Sequence, residues 1–160
     1  MTEQTLRAVM LDYLAACSSL TLATAGPAGP WAARVFYCND GFDLYFLSNP
    51  QSRHGRDMAR QPQVAAAVNL DYRNWLDIKG IQLEGRAEDL GGISGNLKLA
   101  RAYVAKFPEV KSFLLSPQKL GQAIAAKVAK VHFYRLAAHR LYFLDNSQGF
   151  GHRDELVPAG

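Results

Sequence analysis

Two apolar runs, residues 31–37 and 42–47, flank Cys38-Asn39-Asp40-Gly41, and this pattern restricts the fold more than any other stretch of the chain. An Asp-Gly pair between such runs predicts a β-hairpin, because glycine tolerates the positive φ that a tight turn demands. The two runs are therefore expected to pair antiparallel. The same strand-like pattern recurs elsewhere. Residues 20–25 alternate ahead of Gly26-Pro27-Ala28-Gly29-Pro30, whose prolines and glycines are expected to break the ladder. Residues 64–70 are apolar enough for a central strand, and residues 78–90 set Ile81, Leu83 and Ala87 against Gln82, Glu84 and Arg86. Residues 131–136 and 140–144 supply the last two strand candidates. Helical spacing is confined to residues 3–17, a short stretch ending near Arg60, residues 94–107 before Pro108, and, more weakly, residues 117–127. Six or seven short strands with few helices predict a mainly β, α+β chain built as a small antiparallel barrel closed on itself.

The 160 residues leave room for one domain, 1–160, and with 49% hydrophobic and 20% charged residues there is enough apolar material to offset chain entropy. Glu3, Arg7 and Asp12 interrupt the apolar positions of the N-terminus, unlike a signal peptide. No segment reaches the ~20 apolar residues of a membrane span, so the chain is expected in the cytoplasm and off the membrane. Cys17 and Cys38 have no ligand-spaced neighbours, which predicts two reduced thiols and no metal. The formal charge of +4 is scattered, with no run of five Lys or Arg, and this suits a local anion site better than a nucleic-acid face.

Ser48-Asn49-Pro50-Gln51-Ser52-Arg53-His54 gathers hydroxyl, amide, guanidinium and imidazole groups just before a helix, where unpaired backbone N–H groups and the positive dipole end favour anions. A phosphate monoester suits an Arg fork and neutral hydroxyl donors; a capped helix with a solvated basic turn is the plainer reading of these seven residues. On the preceding strand, alternation puts Arg34 and Phe36 on one face and Val35 and Tyr37 on the other.

The succession helix, "LATAG", "ARVFY", "DGFDLYFLSNPQSRHGRDMARQPQVAAAV" and "IKGIQLEGRAEDL" resembles the pyridoxamine 5′-phosphate oxidase-like, FMN-binding split-barrel superfamily over residues 5–90. The resemblance implies a split β-barrel of Greek-key type with flanking helices. It implies flavin-phosphate contacts for Arg34, Ser48, Ser52 and Arg53, with Asn49 in the same turn, and a ring bordered by the backbone at Val35, Phe36 and Tyr37. His54 stands where the oxidases carry Lys, which exchanges a permanent charge for one that titrates near neutrality. Residues 91–120 lack the Arg-Pro, Ser, Gly-Ala pattern with which true oxidases hold substrate phosphate, which argues against vitamin B6 oxidation. Gln82 lies two residues from Gly80, the position that matches the family's amide contact, and is a further candidate or an ordinary surface glutamine. The tail resembles that of an uncharacterised bacterial subgroup. Its Gly149 and Gly151 free the backbone around Phe150, whose ring can lie against a flat ligand or plug the barrel or a dimer seam. Tyr72 and Trp75, between strands, are stacking candidates or interface residues.

The expected activity is that of an FMN-dependent oxidoreductase on a small molecule, with no protein nucleophile required and no catalytic side chain singled out. A haem-binding or haem-degrading protein using His132, His139 or His152 is the alternative, and a non-catalytic flavin module is a third. The resemblance also implies a homodimer with shared cofactor sites, and Trp31, Trp75, Phe113 and Phe150, at loops or strand ends, fit a partner surface.

Overall fold

In the computed structural model, which describes residues 1–159, Glu3–Ala16 forms α1. Thr2 caps it, its hydroxyl accepting the Thr5 N–H at 3.1 Å, and Leu6, Met10 and Leu14 face inward. Six strands follow: β1 Ser19–Gly26, β2 Gly29–Asp40, β3 Asp43–Ser48, β4 Gln63–Asn69, β5 Lys79–Gly92 and β6 His132–Asp145. They run β3-β2-β1-β4-β5-β6, all neighbours antiparallel, and β3 pairs again with β6, so the sheet closes into a split barrel. The hairpin between β2 and β3 turns at Gly41, whose φ of +57° explains the glycine. Leu22, Leu44, Phe46, Val68, Leu136 and Leu141 fill the interior, with Phe46 stacked on Tyr134 at 5.5 Å between centroids.

Among the strands, three features differ from the sequence expectation. The β1–β2 ladder does not stop before Gly26 but continues to the pair Gly26–Gly29, with Pro30 opposite Ala25 at the start of its strand, where proline is tolerated. The two candidates at 131–136 and 140–144 are one fourteen-residue strand. Its pairing passes from Glu84–Arg140 to Gly85–Ala138, so His139 is the extra residue of a bulge, and this extra residue hides the alternation. Gly85 is required there because a Cβ would stand 2.4 Å from the Ala137 carbonyl oxygen. Finally, the tail adds a strand the sequence reading did not include: Arg153–Leu156 forms β7, which pairs with Leu141–Leu144 of β6.

The remaining helices lie outside the barrel. α2, Arg53–Arg60, packs against β1 and β2. α3 Leu97–Lys106, α4 Lys111–Leu115 and α5 Gln122–Val128 form a cover over the β3–β6 side. The predicted helix at 94–107 thus starts at Leu97, after a tight turn at Ile93–Gly95, and the weak candidate at 117–127 is divided by Gly121 at φ +101°. Ala100, Tyr103, Val104, Phe107 and Leu114 make a second apolar cluster with Cys38 and Phe133 from the barrel's outer side. Two polar latches fasten this cover: Lys106 donates to the Cys17 carbonyl at 2.6 Å, and the Tyr103 hydroxyl to the Phe36 carbonyl at 3.3 Å. Among the described residues no helix is long and apolar enough to cross a membrane.

Candidate functional site

The turn between β3 and α2 is shaped by its own side chains. Asn49 Oδ1 accepts the Gln51 N–H at 2.9 Å, the Asn49 carbonyl accepts the Ser52 N–H at 2.9 Å, and Ser52 caps α2 by accepting the Gly55 N–H at 3.1 Å. Gly55 has to be glycine, since a Cβ would stand 2.7 Å from the carbonyl oxygens of Asn49 and Pro50. The chain is thereby folded tightly back onto the helix. Ser48, buried at the end of β3, meets the His54 imidazole through its hydroxyl and lies 3.5 Å from the Ser52 hydroxyl. Burial depresses the His54 pKa below its ordinary value, and the nearby Asp57 carboxylate opposes that shift.

Arg53 opens α2, and its side chain has partners of its own. Its guanidinium lies over the Trp31 ring, 4.3 Å from the centroid, and donates to the Ala28 carbonyl at 3.2 Å; its buried Nε has no partner. Asp57, one helical turn on, is buried and accepts the Thr24 hydroxyl at 2.9 Å. A Cβ at position 26 would overlap that carboxylate, so Gly26 leaves it room. The helix is therefore pinned to the β1–β2 hairpin by one buried carboxylate and one stacked guanidinium.

The other candidates lie on the outward face of the sheet. Arg34 donates to the Ser19 hydroxyl at 2.9 Å and heads a row that runs Arg34, Thr21, Ala67, Gln82, Tyr142 across five strands. At strand spacing the step from Arg34 to Gln82 is roughly 14 Å. The next row is Ala32, Ala23, Ala65, Glu84 and Arg140, so exposed alanines floor a broad shallow groove of about 490 Å³ beside His139. By alternation Arg34 and Trp31 face opposite sides of β2, and Arg34 and Arg53 are held by separate partners.

The structure thus brings Ser48, Asn49, Ser52, Arg53 and His54 into one turn and puts Arg34 and Gln82 on one outward row. Val35 and Tyr37 bury their side chains, with the Tyr37 hydroxyl on the Leu14 carbonyl at 2.6 Å, so only their backbone borders the surface. Phe36 is exposed, edge-on to Phe107 at 5.5 Å. Phe150 is 77% exposed and 6.2 Å from Trp75, which excludes a plug inside the barrel; Asn146 ties the two loops by donating to the Trp75 carbonyl at 2.7 Å. His132 and His152 hold Asp89 and Asp154, at 2.8 and 2.9 Å, while His139 is exposed on its bulge. Sequence reasoning missed Trp31 as the platform for Arg53 and Asp57 as the pin of α2. The signal for Asp57 was there, as the one acidic residue of an otherwise basic helix. Cys17 and Cys38 are free and buried, and among the described residues no group of three His, Cys, Asp or Glu could hold a metal.

Residues 6–144 match the family model described as pyridoxamine 5′-phosphate oxidase. The chain is 30% identical over 141 residues to a UPF0306 protein of Photorhabdus laumondii, covering 87% of each. Among solved structures it is similar to a heme binding protein from Mycobacterium smegmatis, with a TM-score of 0.66 at 21% identity, covering 91% of this chain and 55% of that one. A FAD-binding protein from Mesorhizobium loti is similar at a TM-score of 0.63 and 20% identity, covering 85% of this chain and 91% of the other.

Proposed function

Because the chain belongs to the pyridoxamine 5′-phosphate oxidase family, we propose that it is an FMN-binding flavoprotein, a single-domain oxidoreductase acting on a small molecule as a homodimer in the cytoplasm. The observation that carries this reading is the turn ahead of α2. It offers the Ser48 and Ser52 hydroxyls, the His54 imidazole and the Arg53 guanidinium, whose buried Nε lacks a partner. An orphaned guanidinium nitrogen beside neutral hydroxyl donors and a helix N-terminus fits a phosphate monoester.

In this reading Arg53 and the turn hold the phosphate, with Asn49 fixing the turn's shape. Arg34 gives a second positive contact from the outward row. The backbone at Val35, Phe36 and Tyr37 borders the ring, with Gln82 at the row's far end. FMN, when bound, supplies the hydride or electron transfer, and the chain's own groups bind, orient and exclude water. Pyridoxamine phosphate is a poor candidate substrate, since residues 91–120 are committed to the helical cover.

A second copy is the occupant proposed for the alanine-floored face. Ala23, Ala32 and Ala65 let another sheet approach closely, and a twofold arrangement uses one patch twice to give two equivalent sites. Phe150 and Trp75, exposed side by side, are the aromatic pair one protomer can bring to its partner's ligand.

Haem is the second reading, favoured by the likeness to the heme binding protein and by exposed His139 at the edge of the groove. An absorbance spectrum of the purified protein separates the two, with flavin bands near about 450 nm against a Soret band near about 400 nm. FMN titration should saturate at one flavin per chain. A protein that takes up no FMN overturns the proposal, and a Soret band from added haemin supports the second reading.

A further inference from the structure

α2 has two flanks. One, with Arg53 and Asp57, is pinned to the β1–β2 hairpin as described. The other faces β5 and β6 across a cavity of about 310 Å³ whose polar lining is Gln51, Arg56, Arg60, Asp89 and Tyr134. Its remaining wall is apolar and includes Pro50, Met58, Ala59 and Ala87. The cavity borders the turn ahead of α2 through Pro50 and Gln51, but Ser48, Ser52 and His54 do not line it, nor do Arg34 and Gln82 of the outward row.

The charge in this cavity is not balanced. Asp89, its one carboxylate, is engaged through both oxygens by His132 Nδ1 at 2.8 and 2.9 Å. Arg56 donates to the Gln51 carbonyl at 2.8 Å, and neither Arg56 nor Arg60 forms an ion pair among the described residues. Like charges four apart on a helix repel, and here they do so on an eight-residue helix that already carries Arg53. Two guanidinium groups kept one turn apart on the rim of a cavity are a fork for an oxyanion. The apolar wall gives the anion's carbon body a dry surface, and the volume equals about ten water-sized units, enough for a compact ring.

We infer that the cavity between α2 and the paired strands β5 and β6 is a second ligand site, which takes a small organic anion with its oxyanion on Arg56 and Arg60 and its apolar body against Met58, Ala59 and Ala87. The site does not depend on the flavin reading, because none of its lining belongs to the residues assigned to FMN.

Phenyl phosphate is the probe, followed by two-dimensional NMR on the full chain, with inorganic phosphate in parallel. The expected result is saturable shifts at Ala59 and Ala87, with phenyl phosphate several-fold tighter than inorganic phosphate. In the double variant Arg56→Gln with Arg60→Gln the affinity should fall at least tenfold, whereas Arg53→Ala should leave it within twofold. Ala59→Glu, which places a carboxylate on the exposed rim without touching the core, should abolish binding. Four outcomes overturn the inference: no shifts at millimolar phenyl phosphate, shifts centred on Ser52 and His54, equal affinity for the two probes, or undiminished binding in the double variant. Loss in Arg53→Ala alone would assign the anion to the flavin turn instead.

Discussion

The two halves of the barrel's outer surface are built on opposite plans. Over β3 and β6 the outward residues are large, Tyr45, Leu47 and Phe133, and α3, α4 and α5 of the same chain cover them. Over β1, β2 and β4 most outward residues are small, Ala23, Ala32 and Ala65 in one open row and Thr21 and half-buried Ala67 in the next, with Arg34 and Phe36 on β2 the large exceptions. A sheet face meant for water carries charged and polar groups, and one meant for helices carries bulky apolar ones. Rows of alanine suit neither role, and they suit close approach of a second flat surface. The chain thus covers one half of its barrel itself and leaves the other open, the face on which the proposed second copy would sit.

This contrast gives the largest expected effect to the covered half. Phe133→Ala removes a fully buried ring between barrel and helices and should cost about 3–5 kcal/mol in denaturant unfolding, with the oligomeric mass unchanged in light scattering. A change in mass instead would mean that the helical cover, too, is an interface. On the open half, Ala65→Arg should raise the dimer dissociation constant by a hundredfold or more in sedimentation, roughly 2.7 kcal/mol, while the secondary structure is retained. If native mass persists, or if the native chain is itself a monomer that holds FMN, the comparison fails. Arg53→Ala comes next: losing a charge-assisted phosphate contact of roughly 1.5–3 kcal/mol should weaken FMN by more than tenfold in a fluorescence titration. Unchanged affinity would remove the anion assignment of the turn.

The smallest effect belongs to His54 and sharpens the same site. Its folded pKa is depressed by burial, so the imidazole is neutral at pH 7 without ligand. A bound phosphate favours the protonated ring, so FMN should bind more tightly as pH falls below the ordinary imidazole value of about 6.5, and His54→Lys should flatten that slope. The ligand-free fold should respond in the opposite sense. Because the unfolded chain takes up the proton first, stability is fully present above the ordinary imidazole value and declines as pH drops below it. A pH-independent FMN dissociation constant would count against His54 as a phosphate ligand.

Much of this was legible in the sequence, and the losses have physical causes. The β2–β3 hairpin was readable because Asp40-Gly41 demands a turn, and the faces of Val35, Phe36 and Tyr37 followed from period two alone. β6 was read as two strands because one bulged residue, His139, shifts the period. β7 has four residues, of which only Leu156 is buried, too short to show a pattern. The hydroxyl turn was legible as a cluster because its members are close in sequence. Arg53 on Trp31 and Asp57 on Thr24 were not, since each contact joins the helix to a hairpin more than twenty residues away.

Closure of the barrel by β3 and β6 has a consequence for how the chain reaches this fold. Ser48 pairs with His132, so the seam joins residues 43–48 to residues 132–137, segments far apart in the sequence. Such non-local pairings slow folding, because loop entropy is lost before the contact returns anything. During synthesis the hairpin of β2 and β3 emerges early, and the outer edge of β3 waits for the whole of residues 49–131 before its partner exists. An unpaired edge of alternating apolar residues, Leu44, Phe46 and their neighbours, is a template for another chain's strand. The helical cover, inserted between β5 and β6, therefore lengthens the interval in which nascent chains can pair with one another, and yield of folded protein should depend on chain concentration more steeply than stability alone would indicate.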